Sequence, residues 1–267
     1  MKEIKKEKVS KGIANKPTLK NKMKRLFYDL ETSPNVVYSW NIGYNLILGH
    51  ENIIKERAII CICWKWEGED KVNYLTWDKG DDSEMIYKFY DVLMEADEVV
   101  GHNSDRYDTK WFRTRCLYHG ILNMPDIKSI DTLKVSRTQF KFNSNKLDYI
   151  GQYLSLGKKL ETGGFDLWKQ VIAGDKKALV NMVSYCKQDV LLLEKVYKRL
   201  EGYSKPKTHV GLLKNNNKCS CPRCASTNYV LSKKRISSLG LMKYQLQCKN
   251  CGTYYTVSPK TYDDDKN

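Results

Sequence analysis

The chain has 267 residues, of which 41% are hydrophobic and 29% are charged, and this length suits one ordinary domain with a smaller module beside it. No stretch approaches the roughly 20 consecutive apolar residues that span a bilayer, and the sequence opens on lysines with no apolar segment behind them. Membrane insertion and secretion are therefore not expected, and we predict a cytoplasmic protein.

The formal net charge of +15 is concentrated at the two ends of the sequence. Residues 1–25 carry ten Lys or Arg against two Glu, and residues 202–267 carry twelve against three Asp, whereas 26 acidic residues balance 24 basic ones between them. Positive charge placed in this way is typical of proteins that bind a polyanion, most often nucleic acid. The alternative is that the basic ends are solubilising tails in a lysine-rich proteome. The Lys, Asn and Ile content indicates an AT-rich genome. This genome is expected to be that of a phage, whose protein acts in the host cytoplasm, or that of a low-GC bacterium.

The predicted elements follow a basic arm over residues 1–24, which shows no apolar period and is expected to be flexible. We predict strands near residues 26–32, 57–66, 72–77, 98–101 and 126–133. We predict helices over residues 83–95, 107–118, 147–156 and 175–200. Three strands followed by alternating helices and strands predict an α/β domain over residues 25–201, in the order of the ribonuclease-H-like architecture, with a mixed five-stranded sheet flanked by helices.

The last quarter of the chain has a different composition. Residues 202–218 are rich in Gly, Ser, Pro, Lys and Asn and are predicted to be a linker. Residues 219–259 are too few to hold together by hydrophobic burial alone, so a metal is expected to supply the missing stability. Residues 260–267 are expected to form a disordered tail.

Two acidic residues lie in the first predicted strand. Asp29 and Glu31 are separated by two positions, so the pleat of a strand directs both side chains to one face. Two carboxylates on one face can hold a divalent cation, and the apolar residues around them make an unpaired charge costly. The alternative is an acidic pair on an exposed edge strand.

Two further acids occupy helix positions near the predicted sheet. Asp108 is among the first residues of the helix that follows the strand over residues 98–101, and Tyr185 and Asp189 lie one turn apart on the closing helix. Each feature alone has an ordinary explanation, because Asp is favoured in the first turn of a helix and the Tyr-x-x-x-Asp spacing recurs elsewhere in the chain.

In combination and in this order, the three motifs resemble those of the DEDD exonucleases. The motifs are Asp29-Leu-Glu31, Asn103-Ser-Asp-Arg-Tyr-Asp108 and Tyr185-Cys-Lys-Gln-Asp189. The tyrosine of the third motif is that of the DEDDy branch, and residues 25–201 are similar to the proofreading domain of family B DNA polymerases and their stand-alone relatives.

The resemblance implies hydrolysis of phosphodiester bonds from the 3′ end with two Mg²⁺ or Mn²⁺ ions. It implies that Asp29, Glu31 and Asp189 hold the ion that activates water. It also implies that Asp29 and Asp108 hold the ion on the leaving-group side, and that Tyr185 orients the attacking water.

Four other residues near these motifs enter the assignment. Thr32 and Asn103 are candidates for gripping the terminal nucleotide. Asp105 and Asp131 are acidic rivals of Asp108, so the assignment of the fourth metal ligand rests on the motif order.

A cysteine motif dominates the C-terminal module. Cys221-Pro-Arg-Cys224 and Cys248-Lys-Asn-Cys251 have the spacing of two knuckles that converge on one structural Zn²⁺, and the segment resembles a zinc ribbon. Cys219 can substitute for Cys221 but has the poorer spacing. A redox role for the CxxC pairs is the alternative, although two matched pairs favour metal binding.

The predicted hairpin of this module has arms over residues 228–232 and 243–248. Basic side chains lie in or beside it, with tyrosines interleaved: Lys233, Lys234, Arg235 and Lys243. Basic groups can bind phosphates while aromatic rings stack on bases, which predicts nucleic-acid binding. Docking of a protein partner is the alternative.

The sequence therefore predicts a metal-dependent 3′-to-5′ exonuclease that acts on single-stranded DNA, with a zinc ribbon that helps to hold the nucleic acid. Trimming of RNA by the same chemistry is the nearest alternative, since no residue is recognisable as a reader of the 2′-hydroxyl. A non-catalytic nucleic-acid-binding protein and a structure-selective endonuclease are the alternatives from other classes.

Overall fold

The computed structural model describes residues 23–43, 45–160 and 163–266. The chain divides into a larger unit, Lys24–Thr208, and a smaller unit whose described residues are Met23 and 209–266. The division falls within the segment predicted to be a linker, which contains a short helix. The predicted basic arm lies outside the described residues except for Met23 and Lys24. None of the helices in the described ranges is long and apolar enough to cross a bilayer.

The larger unit combines a five-stranded sheet with six α-helices in its described residues. Its strands, including a small separate hairpin of β2 and β3, are β1 (Arg25–Thr32), β2 (Val36–Val37), β3 (Ile53–Lys55), β4 (Ile59–Trp66), β5 (Asn73–Thr76), β6 (Glu98–Gly101) and β7 (Lys128–Asp131). Its helices are α1 (Ser83–Glu95), α2 (Asp108–Tyr118), α3 (Thr132–Gln139), α4 (Leu147–Tyr153), α5 (Phe165–Ile172) and α6 (Lys176–Leu200).

The sheet has the strand order β5-β4-β1-β6-β7, with β1 at its centre. Strands β1 and β4, and β4 and β5, pair antiparallel, whereas β6 is parallel to both β1 and β7. The predicted mixed five-stranded sheet flanked by helices is therefore confirmed. Because β1, β6 and β7 run in the same direction, their carboxyl ends meet at one edge of the sheet.

The central strands are covered by helices on both faces, which explains why β4 reads as a continuous apolar run. On one face, Phe89 of α1 and Phe112 of α2 meet edge to face, with ring centroids 5.2 Å apart. On the other face, α6 packs against β1 and β4 through a buried stripe that includes Met182, Cys186 and Val190.

A buried ion pair fastens α1 and α2 to the sheet. Asp82, which precedes α1, has no exposed surface and accepts two hydrogen bonds from Arg115 at 2.8 and 2.6 Å. The same carboxylate accepts a hydrogen bond from the backbone N–H of Ile59 at 2.9 Å and lies 2.7 Å from Nε2 of His119. This network satisfies a charge that would otherwise be costly to bury.

Two helices of the larger unit were not predicted. The strand predicted over residues 126–133 ends at Asp131, because the Asp131 carboxylate accepts a hydrogen bond from the backbone N–H of Leu133 and caps α3. Helix α5 follows two glycines at positive φ, Gly163 and Gly164. Its eight residues give too few helical turns for a clear apolar period in the sequence.

The smaller unit is a three-stranded antiparallel sheet of order β10-β9-β8. Its elements are α7 (Val210–Leu213), β8 (Tyr229–Ile236), β9 (Met242–Cys248), β10 (Tyr254–Val257) and α8 (Pro259–Lys266). The hairpin arms are longer than predicted, and β10 was not predicted. The prediction of a disordered tail was wrong: residues 259–266 form α8, where Asp265 accepts hydrogen bonds from Asn217 and Tyr229.

Candidate active site and cysteine cluster

Three of the predicted site carboxylates meet on one face of the central strand. Asp29 and Glu31 of β1 and Asp189 of α6 have oxygen atoms that all lie within 4.8 Å of one another. Helix α6 is held against this face through Cys186, whose thiol donates to the backbone carbonyl of Asp29 at 3.4 Å. Residues distant in the sequence thus form one acidic cluster, as the motif order led us to expect.

Asp108 lies beside this group, at the start of α2. It is buried, and its Oδ1 accepts a hydrogen bond from the backbone N–H of Leu30 at 3.2 Å, between the two acids of β1. The parallel pairing of β6 with β1 brings the start of α2 to this edge of the sheet. Asp108 is therefore a neighbour of the three clustered carboxylates and stands outside their tight group.

The two rival acids are engaged in local hydrogen bonds. Asp105 accepts from the hydroxyl of Ser129 at 2.5 Å and from the ammonium of Lys134 at 2.7 Å. Asp131 accepts from the backbone N–H groups of Asn103 and Leu133, at 2.8 and 2.9 Å. Their oxygens support the turn after β6 and the start of α3, so Asp108 is the acid best placed to join the cluster.

The clustered carboxyl groups have raised pKa values. Burial and, secondly, the charge of Asp189 raise the pKa of Glu31 to about 8, and burial raises the pKa of Asp108 to about 7. Burial and the repulsion of Asp108 and Glu31 also raise the pKa of Asp29. Burial and mutual repulsion thus disfavour the charged forms of these carboxyl groups, and a bound cation would favour their ionisation.

Lys159 is a cation in contact with this cluster, and sequence reasoning missed it. Its ammonium donates to the Asp189 carboxylate and, at 3.2 Å, to the hydroxyl of Tyr185. Burial first and then the charge of Asp189 raise the pKa of Tyr185 to about 12, so the phenol is protonated at neutral pH. Lys159 comes from the loop between α4 and α5, and no motif spacing relates it to α6.

The donor set of the cluster fits a divalent cation. Asp189 Oδ1 is buried and has no hydrogen-bond partner among the described residues. An unpaired carboxylate oxygen is costly in a protein interior unless a cation or a proton neutralises it. Carboxylate oxygens are the ligands preferred by Mg²⁺ and Mn²⁺, so the site suits the hard metals that the sequence predicts.

The two candidates for nucleotide binding lie at the carboxyl ends of the neighbouring strands β1 and β6. Thr32 is buried at the end of β1, and its hydroxyl lies 2.7 Å from the hydroxyl of Tyr107. Asn103 has a positive φ of 64° in the turn after β6 and lines a cavity of about 580 Å³. Basic side chains also line this cavity, including Arg137, Lys146 and Lys159.

A second cluster, in the smaller unit, contains the four cysteines with the paired spacing. The thiols of Cys221, Cys224, Cys248 and Cys251 all lie within 4.8 Å of one another. The turns that hold them have positive φ at Ala225 and Gly252, one residue after the second cysteine of each pair. Cys219 is not in this cluster, because its thiol donates to the carbonyl of Thr261 at 3.3 Å. The cluster can hold a metal ion, and the arrangement fits the small metal-binding module predicted from the sequence.

The basic residues predicted to bind nucleic acid lie on the β8–β9 hairpin, with Arg235 of β8 paired opposite Lys243 of β9. Lys234 is paired opposite Tyr244, and its ammonium lies 5.2 Å from the centre of that ring. These side chains are exposed or partly exposed along the hairpin.

Comparison with protein families identifies the superfamily of the larger unit. The model of the RNase_H superfamily matches residues 54–201, more than half of the chain, and the chain belongs to this superfamily. Its fold is generally that of nucleases, which typically use divalent metals and act on nucleic acid. The match begins after β1, so the strand that carries Asp29 and Glu31 precedes it. Among curated proteins, no relative matches the chain.

Proposed function

We propose that the larger unit is a metal-dependent 3′-to-5′ exonuclease of the DEDDy type that acts on single-stranded DNA. The observation that carries the proposal is the convergence of Asp29, Glu31 and Asp189 within 4.8 Å, with Tyr185 one helical turn from Asp189. Membership of a nuclease superfamily supports hydrolysis of phosphodiester bonds, and the DEDDy motif order favours attack from the 3′ end.

Four carboxylates would hold the metal ions in this proposal. Asp29, Glu31 and Asp189 would ligate one ion, and Asp29 together with Asp108 would ligate the second. When bound, two Mg²⁺ or Mn²⁺ ions lower the pKa of water and stabilise negative charge on a phosphodiester. The raised pKa values of Asp29, Glu31 and Asp108 support this assignment, because bound cations would stabilise the charged forms that burial and repulsion disfavour.

Tyr185 and Lys159 supply the polar groups beside the carboxylates. The Tyr185 phenol, with a pKa of about 12, keeps its proton at pH 7 and therefore orients water by hydrogen bonding instead of acting as a base. The Lys159 ammonium donates to the Tyr185 oxygen, which fixes the hydroxyl at the edge of the cluster. Thr32 and Asn103 are proposed to hold the terminal nucleotide.

The smaller unit is proposed to be a zinc ribbon. Among its described residues, the buried hydrophobic side chains are few: Cys219, Cys221, Cys248, Ala225 and Leu246. So small a core stabilises a fold weakly, and ligation of one structural Zn²⁺ by Cys221, Cys224, Cys248 and Cys251 would provide the missing free energy.

The ribbon is proposed to bind nucleic acid through the exposed basic side chains of its hairpin, Lys233, Lys234, Arg235 and Lys243. Cations on an exposed strand pair bind phosphates without reading sequence, which suits an enzyme that degrades strands of any sequence.

Digestion of 5′-labelled single-stranded DNA and RNA of one sequence tests the proposal. Wild type and Asp29→Ala/Glu31→Ala are compared with Mg²⁺, with Mn²⁺ and without a divalent metal. We expect a metal-dependent ladder that shortens from the 3′ end, faster on DNA, and no ladder with the variant. A faster ladder on RNA would replace DNA by RNA as the substrate. Binding of both strands without cleavage would refute the enzyme and leave a nucleic-acid-binding protein.

A further inference from the structure

The end of the β8–β9 hairpin is apolar and exposed. Leu239 is 84% exposed, Ile236 70% and Leu241 59%, and Met242 is paired directly opposite Ile236. Apolar side chains gathered at one exposed point are costly in water and indicate a surface that contacts a partner. We name these four residues the hairpin tip.

The turn that carries the hairpin tip is internally hydrogen-bonded. The backbone N–H of Ser237 donates to the carbonyl of Leu241 at 2.9 Å, and the N–H of Gly240 donates to the carbonyl of Ser237 at 2.9 Å. The Ser237 hydroxyl also accepts from the N–H of Leu241 at 3.1 Å, and Gly240 has a φ of 75° that favours glycine. A turn ordered in advance loses little conformational entropy when its apolar side chains are inserted into a partner.

Positive charge surrounds the tip on the strands that lead to it. The pair next to Ile236 and Met242 is Arg235 opposite Lys243, and the following pair places Lys234 opposite Tyr244. Like charges directly opposite each other destabilise a strand pair unless an anion lies between or beside them. The partner of the tip is therefore expected to be a polyanion.

The acidic residues of the smaller unit lie on the helix that packs against β9. Residues 209–266 contain three acids, Asp263, Asp264 and Asp265, all on α8. Asp265 accepts a hydrogen bond from Tyr229, which begins β8 at the end opposite the tip. Tyr262 of α8 packs on Tyr244 of β9, with ring centroids 5.2 Å apart, and the Arg235–Lys243 pair lies one position closer to the tip than this contact.

From this arrangement we propose that the hairpin tip is a wedge that enters nucleic acid and separates stacked bases, while the flanking cations hold the phosphates. Apolar side chains with basic neighbours are used in this way by proteins that unstack base steps and kink a duplex. The wedge gives the proposed exonuclease a means of opening the end of a duplex into single strand. This inference rests on the proposed binding of nucleic acid by the ribbon.

The test uses the full chain carrying Asp29→Ala/Glu31→Ala, so that the probe is not degraded. The probe is a DNA duplex with a 3′ single-stranded extension and 2-aminopurine at the junction, whose fluorescence rises on unstacking. We expect the intact hairpin to raise the fluorescence at least threefold at saturation. Leu239→Ser/Leu241→Ser is expected to abolish the rise and to weaken binding less than tenfold.

Two further variants make the result specific. Val230→Ser changes an exposed apolar residue of β8 outside the tip and should behave as the parent protein does. Lys233→Gln/Lys234→Gln/Arg235→Gln should weaken binding at least tenfold and make it less dependent on salt. Zinc content and circular dichroism of each variant establish that the ribbon is folded.

An undiminished rise in fluorescence with Leu239→Ser/Leu241→Ser would overturn the wedge and leave the ribbon as a nucleic-acid-binding module. Unchanged DNA binding by the triple basic variant would overturn the ribbon's proposed binding of nucleic acid, and the wedge with it. Tip-dependent binding to phosphatidylglycerol vesicles, or tip-dependent self-association, without an effect on the DNA probe would also refute the wedge.

Discussion

Replacing Glu31 by Gln should stabilise the larger unit at alkaline pH when no divalent metal is present. Burial and then the charge of Asp189 raise the pKa of Glu31 from 4.5 to about 8. An unfolded chain releases the proton near pH 4.5, whereas the folded protein retains it until about pH 8. Stability therefore falls as the pH rises through this interval, and the full cost is present above it.

The size of the effect follows from the shift in pKa. At about 1.4 kcal/mol per pKa unit, the shift corresponds to about 4 to 5 kcal/mol, and partial exposure of Glu31 to water reduces this figure. We expect Glu31→Gln to raise the free energy of unfolding by about 1 to 3 kcal/mol at pH 8.5 and by almost nothing at pH 4. Saturating Mg²⁺ should remove or reverse the gain, because the wild-type carboxylate then has its cation.

Tryptophan fluorescence in urea is the assay, since all six tryptophans lie between residues 40 and 168 and report on the larger unit. The titration is made in metal-free buffer at pH 4, 6 and 8.5 and repeated with Mg²⁺, with Glu69→Gln as an exposed control in the same unit. A loss of stability at pH 8.5, or a gain that is the same at every pH, would refute the electrostatic reasoning.

Three further variants test the other interactions described. Asp82→Asn leaves Arg115 buried without its ion pair and should lower the free energy of unfolding by about 3 to 5 kcal/mol at pH 7 in urea titrations. Although burial opposes it, hydrogen bonding to Arg115 holds the pKa of Asp82 below its usual range, so this penalty should shrink as the pH falls below about 4. Lys159→Met should lower the melting temperature more in metal-free buffer than in saturating Mg²⁺, because the ammonium neutralises Asp189 chiefly when no metal is present; an equal loss in both would contradict this. Cys224→Ser should release about one zinc per chain, measured with a chromogenic chelator, without moving the tryptophan transition.

The sequence predicts the parts of the fold that have a clear period or a clear motif. The apolar stripe of α6 and the run of β4 are visible in single windows, and the order of the elements then limits the sheet to a few topologies. The meeting of Asp29 with Asp189 was predictable because three motifs in order resemble a known family. The sequence does not predict that their oxygens lie within 4.8 Å of one another, because this distance depends on how α6 packs against β1.

The remaining features depend on contacts between distant residues or on short elements. Helix α8 begins at a proline and contains three consecutive aspartates, a composition that resembles a disordered tail, yet Asp265 is held by Asn217 and Tyr229. Lys159 lies in a loop, and its ion pair with Asp189 spans thirty positions. Local propensity carries no information about such pairs, because they form only when tertiary packing brings distant residues together.

The measurement that tests the central claim most directly compares linear and circular single-stranded DNA of the same sequence. The linear strand carries a 3′-terminal label, and both are incubated with wild type, with Mg²⁺ and without it. The proposed exonuclease releases the label as a mononucleotide among its first products and leaves the circle intact. Cleavage of the circle would contradict the account and identify an endonuclease on the same fold.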